Sequence, residues 1–256
     1  MTYGLWLSAA GMQANQYRQN VQANNLANAN TVGFKKDLAV LSERTVESRT
    51  AAEGARFGHG LLDGLSGGTF VTPTYHSFAA GPLTPTGNPL DVSIKGNGFF
   101  AVRVGAESRY TRDGRFTVNP DNELVMVAGD GRAKVLDEAG GPIVLLPASA
   151  GQPTIAADGT VRQGGAVVAK LGLVEFSDRN ELRKVGADLF RAVGGRPQPA
   201  VASSVMSGTV EQSNADPVAG LASLIEVSRA YELNARMISL QDQTIGQAVS
   251  QVGRIG

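Results

Sequence analysis

The chain has 256 residues, enough for one large or two modest domains with a real core. Its 23 Lys plus Arg balance its 23 Asp plus Glu, and zero net charge argues against a nucleic-acid binder, which carries a basic face. It has no Cys, which excludes disulfides, thiolate catalysis and zinc–sulfur sites, and it has no apolar run long enough to span a membrane.

Residues 3 to about 30 read as one helix. Alternating steps of four and three place Tyr3, Leu7, Ala10, Ala14, Tyr17, Val21, Asn24 and Asn28 on one stripe. The first six are apolar or amphipathic, and the two Asn weaken a core while fixing its register. Small residues on the seam make this helix dependent on tertiary packing. Met1 to Ala14 lacks a basic leading region, and Leu5–Ala10 is short and interrupted for a signal peptide, so export would need another route. The Asn-rich run Asn24 to Asn30 ends the helix, because Asn tolerates the left-handed conformation. Asn24, Asn25 and Asn28 are explained by such a cap alone, or by a cap together with bonds to a neighbouring subunit. A mid-helix Asn pair on the seam favours the second, since a lone buried amide is costly. Lys35 and Lys36 follow, just past the negative end of the helix dipole.

Residues 41–82 read as a connector, with six glycines in the fifteen residues from Gly54 to Gly68 and a weakly alternating stretch from Thr69 to Leu83 with the pattern of a strand. Gly64-Leu65-Ser66-Gly67-Gly68 fits a G-x-S-x-G nucleophile pattern, but the only histidines are His59 and His76, with no acid between the Ser and His76, so no catalytic residue is assigned. His59 and His76 lack an acidic cluster nearby, so no metal ligand is assigned either.

From 83 to 208 the apolar period becomes two. Leu90–Ile94 alternates as a half-buried strand should. Asp113-Gly114, Asp130-Gly131 and Asp158-Gly159 read as turns, the first between strands at Arg109–Arg112 and Arg115–Val118. Ile143–Leu146, Val167–Leu171 and Leu173–Phe176 read as further short strands, giving an antiparallel β domain. No Asp-Gly pair has the acidic spacing of a calcium loop, and no phosphate or dinucleotide fingerprint is present, so no cofactor is assigned.

The last element is a long helix. Asp216 caps it and Pro217 suits its first position. Every seventh residue from Leu224 is apolar: Leu224, Tyr231, Ile238, Ile245 and Val252. Such a stripe needs a partner, and the N-terminal stripe is one candidate. Val227, Leu233, Met237 and Leu240 point elsewhere, which argues for contacts with several helices. The fold class is therefore α+β. Long N- and C-terminal helices pair as a coiled-coil-like stalk (1–40 with 209–256), beside a Gly-rich connector (41–82) and a central antiparallel β domain, barrel-like or sandwich (83–208).

Three separated segments resemble the rod and hook family of bacterial flagellar axial proteins. They are Asn24-Asn25-Leu26-Ala27-Asn28 with Thr31-Val32-Gly33-Phe34-Lys35; Thr86 to Phe100 with Tyr110-Thr111-Arg112-Asp113-Gly114-Arg115-Phe116; and Ser207 to Asn214 with Leu224-Ile225 and Arg229-Ala230-Tyr231-Glu232. Within the family, Thr154–Thr160 and Val205–Gly208 resemble the proximal-rod type, whereas Val32–Lys35 and Arg229–Glu232 look closer to the distal-rod type; the proximal type is favoured. The resemblance implies a structural subunit with no enzymatic activity, whose terminal helices pack into a tube with copies of itself and homologous rod or hook subunits. The helix stripes above, together with Asn25, are the expected assembly interface. The resemblance also implies export by the flagellar export apparatus without a cleaved signal, and a place in the basal body, periplasmic in a Gram-negative envelope. A secreted adhesin-like binding module and a cell-wall glycan hydrolase are the rival readings; the latter needs two facing carboxylates in a cleft.

Overall fold

The computed structural model describes residues 2–43, 68–72, 74–129 and 131–252. His59, Gly64–Gly67, Asp130 and most of the glycine-rich stretch lie outside the described residues. The chain divides into two compact units: residues 1–27, 37–75 and 216–256 form one, and residues 28–36 and 76–215 the other.

The first unit is built on two helices, Thr2–Ala27 and Pro217–Val252. The C-terminal helix starts where the cap chemistry puts it. Asp216 Oδ1 accepts from the Val218 and Ala219 N–H groups at 2.8 and 3.2 Å, satisfying two donors that have no partner inside the helix. The two helices run antiparallel along one another: Gly4 lies against Gln241, and Gly11 against Asn234. Beside them, Leu41–Glu43 pairs antiparallel with Thr69–Val71, so part of the span read as connector is strand.

The second unit is antiparallel β structure around two apolar clusters. Its longest strand, Phe99–Val104, pairs with Glu107–Thr111 on one side and with Lys134–Val135 and Leu173–Glu175 on the other. The strand path continues through Leu189–Ala192 to Leu182–Lys184, and at its other end through Leu124–Met126 to Phe116–Val118. Side chains alternate across a strand, so neighbours Phe99 and Phe100 serve different clusters. Phe99 packs with Tyr110, Phe176, Leu182 and Phe190, and Phe100 with Val92, Phe116, Leu124 and Met126. His76 lies edge-on to Phe190 at 5.9 Å, as an aromatic wall of the first cluster.

Three expectations are corrected. The Leu90–Ile94 strand is Val92–Lys95, and both its faces are sealed. Ser93 is fully buried and shares a 2.6 Å hydrogen bond with Thr209, which satisfies its hydroxyl. Asp113-Gly114 is no hairpin turn: Glu107–Thr111 pairs with Phe99–Val104, whereas Phe116–Val118 pairs with Leu124–Met126. Asp113 is buried and accepts from the Arg115 backbone N–H and from its guanidinium at 3.0 and 2.7 Å. Gly114 is required by packing, since a Cβ there would overlap the Val92 carbonyl oxygen. Ile143–Leu146 makes only isolated bridges, Glu123 with Val144 and Leu136 with Pro142 at its approach. Asp158-Gly159 does turn the chain, between Thr154–Ile155 and Thr160–Gln163, with Asp158 accepting from both Thr160 N–H and hydroxyl.

The hairpin joining Leu182–Lys184 to Leu189–Ala192 carries Ala187 and Asp188 at φ 49° and 55°, a left-handed conformation that is costly for side chains other than Asn and Asp. Burial, and secondarily the charge of Asp113, push the Asp188 carboxyl from 3.8 up to about 6. A carboxyl raised in the folded state contributes its stability below the unfolded value and loses it as pH rises through about 6. Asp188→Asn keeps the left-handed turn and removes the charge. It is expected to raise the melting temperature at pH 8 and leave it unchanged near pH 3.5, measured by thermal unfolding. Gly114→Ala is expected to destabilise the β unit by about 1–3 kcal/mol or more, through forced displacement of the strand Val92–Lys95; denaturant unfolding checks it.

Candidate functional site

The C-terminal helix carries apolar side chains on two opposite faces. One face meets the N-terminal helix. Along it Leu224, Tyr231, Ile238 and Ile245 are half-buried, and Val227 is 1% exposed. Val227 therefore lies in the seam and does not point elsewhere as expected. It begins a second track, three residues on from the first, that continues through Asn234 and Gln241. Polar groups on this track meet glycines: a Cβ at Gly4 would lie 3.0 Å from Gln241 Nε2, and one at Gly11 3.2 Å from Asn234 Nδ2. Only a residue without a side chain leaves room for these amides between the helices. Gln241 Oε1 is buried and has no hydrogen-bond partner among the described residues.

The other face carries Val218, Leu221, Ile225, Leu233, Met237 and Leu240, all exposed. At about 100° per residue they fall within an arc of roughly 160°, opposite the seam. Leu233 is 61% exposed and Leu240 57%. Arg229, Glu232 and Arg236, also exposed, are interleaved with them. On the N-terminal helix Tyr3, Trp6 and Leu7 are likewise exposed. Exposed apolar side chains with charges among them along one helix face make this surface the candidate for an interaction site.

The other residues of the N-terminal stripe are spent differently. Ala14 and Val21 are buried, and Ala10 is half-buried. Tyr17 shares a 2.5 Å hydrogen bond with Thr74. The Asn25 amide is closed within the chain, donating to Asp37 O at 2.8 Å and accepting from Asp37 N–H at 2.7 Å. Asn24 is exposed, and Asn28 Oδ1 accepts from the Thr31 hydroxyl at 3.3 Å just past the helix end. Val252 ends the described part of the C-terminal helix.

In the second unit a buried charge cluster escaped sequence reasoning. Lys35, Arg112 and Glu211 are 0%, 2% and 1% exposed. Lys35 Nζ donates to Glu211 Oε1 at 2.5 Å and to Ala79 O at 2.8 Å; Arg112 donates to Glu211 Oε2 at 3.4 Å and to Gly96 O at 2.9 Å. The Arg112 guanidinium also stacks 4.9 Å over the Phe99 ring, a favourable cation–π arrangement. Desolvation lowers the affinity of both Lys35 and Arg112 for their protons, and the Glu211 charge opposes it. Lys35 is thus an internal ion-pair partner rather than a free charge at a helix end. The one signal in the sequence was that Lys35, Arg112 and Glu211 each sit inside a motif carrying the family resemblance.

The β unit also holds a cleft of about 740 Å³ whose walls include Asp137, Glu138, Asp158 and Lys170. Its carboxylates are engaged. Asp137 accepts from Gly141 N–H at 2.7 Å, Glu138 pairs with Lys170 at 2.7 Å, and the Thr160 backbone and hydroxyl bonds hold the Asp158 carboxyl below its usual range. Glycoside hydrolysis needs an acid whose pKa is raised, and Asp158 is shifted the opposite way.

Three family models match in chain order: a flagella basal body rod protein model over residues 7–35, a flagellar hook protein FlgE/F/G D1 domain model over 93–163, and a flagellar basal body rod FlgEFG protein C-terminal model over 206–251. Among curated relatives, the flagellar basal-body rod protein FlgF of Caulobacter vibrioides is 40% identical over 240 residues, covering 92% of both chains. FlgF of Mesorhizobium japonicum is 35% identical over 257 residues, covering 99% of both. The flagellar basal-body rod protein FlgG of Buchnera aphidicola subsp. Baizongia pistaciae is 33% identical over 263 residues, covering 96% of this chain and 98% of its own. With full-length similarity at this level, and with its beginning, middle and end each matched, this chain belongs to the flagellar basal-body rod protein family.

Proposed function

We propose that this chain is a structural subunit of the bacterial flagellar basal-body rod, of the FlgF type, polymerising into the shaft that carries torque from motor to hook. One observation carries the mechanism: the C-terminal helix buries one apolar face against its own chain and leaves a second one open. Neighbouring subunits, copies of this chain and homologous rod or hook proteins, cover that second face. A heterologous contact of this kind does not close on itself and builds a helical filament. The FlgF assignment is supported by the 40% identity to the FlgF of Caulobacter vibrioides, against 33% to the FlgG relative.

Within this reading the helices of successive subunits pack as coiled-coil-like seams. Ala14, Val21 and Asn25 are already covered inside the chain, so Tyr3, Trp6 and Leu7 supply the N-terminal share of the interface. Leu224, Tyr231, Ile238 and Ile245, on the face that meets the chain's own N-terminal helix, line the seam within the subunit, Val252 continues their heptad, and the exposed face from Leu221 to Leu240 meets the neighbours. The role is mechanical and not enzymatic, with no cofactor. The subunit reaches the basal body through the flagellar export apparatus, without a cleaved signal, and stands in the periplasm where the envelope has an outer membrane. No described helix is long and apolar enough to cross a membrane.

The test is the double substitution Leu233→Asp with Leu240→Asp. Both side chains are exposed, so thermal unfolding of the purified monomer should shift by no more than about 0.5 kcal/mol per site. Rod incorporation in a deletion strain, followed by electron microscopy of basal bodies and by swimming, should be lost. Normal rods and normal motility in that strain would remove the open face from the interface.

A further inference from the structure

We propose that Lys35, Arg112 and Glu211 form a positioning joint that selects one seating of the two chain segments running into the terminal helices. The segments are residues 31–35 and 209–214, and each supplies one charge; the third comes from the β strand region that holds Arg112. These are the same three blocks that the family models match separately, and here one charge from each meets the others.

Glu211 is the hub. Its Oε1 accepts from Lys35 and from Gly81 N–H at 2.9 Å, its Oε2 from Arg112, and its backbone carbonyl from Gly33 N–H at 2.7 Å. Asn214 secures the same crossing. Its Oδ1 accepts from Lys36 N–H at 2.7 Å, and its amide donates to Ser77 and Ala79 carbonyls at 2.8 and 3.0 Å. Lys184 closes the far side, donating to the Lys35 carbonyl and lying 3.8 Å over the Phe34 ring.

The cluster is a poor design for stability alone. Two cations share one carboxylate, and Arg112 Nε is buried without a partner. Apolar residues of the same volume stabilise such a site equally well or better, whereas directional bonds reject shifted packings that an apolar core would accept. The charges therefore define orientation. What they orient is residues 31–35 and 209–214 against the chain around Arg112, and this seating does not depend on the rod reading above.

The test uses the full chain with Lys35→Met, Arg112→Met and Glu211→Met together. The melting temperature should be unchanged or higher. Hydrogen exchange at the Gly33, Gly81 and Gln212 amides should accelerate at least tenfold, while the core amides of Leu124 and Met126 keep their protection. Unchanged exchange at the three junction amides would overturn the proposal. Glu211→Gln provides the second reading if the triple variant does not fold, because it keeps the shape and the acceptor for Gly81. Selective loss of protection at the junction supports the joint, and an equal loss at Leu124 and Met126 would reduce the cluster to a general stabiliser and overturn it. Swimming of a strain carrying the triple variant reports on the rod reading separately: that strain should assemble rods poorly even though its purified subunit melts normally.

Discussion

A helix of 36 residues cannot be hidden by a partner of 26. That mismatch of length is matched by a mismatch of faces, since the longer helix carries apolar side chains on both sides and its own chain covers one. Burial of apolar side chains is the main favourable term in folding and association. A surface of this kind is what the proposed polymer covers. The β unit, by contrast, is self-sufficient: Phe99, Phe100, Phe116 and Phe190 are all sealed in its interior.

The seam between the helices mixes apolar side chains with amides. Glycines stand opposite amides where a coiled coil of high stability would place Leu against Leu. This arrangement keeps the antiparallel pair in one register, because an amide placed against a bulkier residue would lose its room.

Much of this architecture could be read from the chain. Asp216 and Pro217 mark the start of the C-terminal helix through side-chain chemistry that acts locally, and Asp158-Gly159 marks its turn in the same way. The seven-residue apolar track from Leu224 was legible because every member is apolar. Its companion through Val227, Asn234 and Gln241 was not, since two polar residues broke the pattern and glycine on the other helix is what accommodates them. Asp113-Gly114 misled for a related reason. Its dipeptide chemistry signals a turn, but long-range pairing with Val92 and the ion pair to Arg115 decide its structure. The junction of Lys35, Arg112 and Glu211 joins residues up to 176 apart in sequence, and no local rule of periodicity reaches that far.

Gly33 sits at that junction with φ +74°, its α-carbon pressed against the Arg112–Asp113 peptide so that any β-carbon would overlap the Asp113 nitrogen. Both backbone angle and space exclude the other nineteen amino acids. A lineage cannot drift gradually away from such a position by way of alanine or serine, because every intermediate step is as damaging as the last. The site is thus frozen by geometry, and a descendant that abandons it must rebuild the crossing of residues 31–35 with the strand Thr209–Glu211 wholesale.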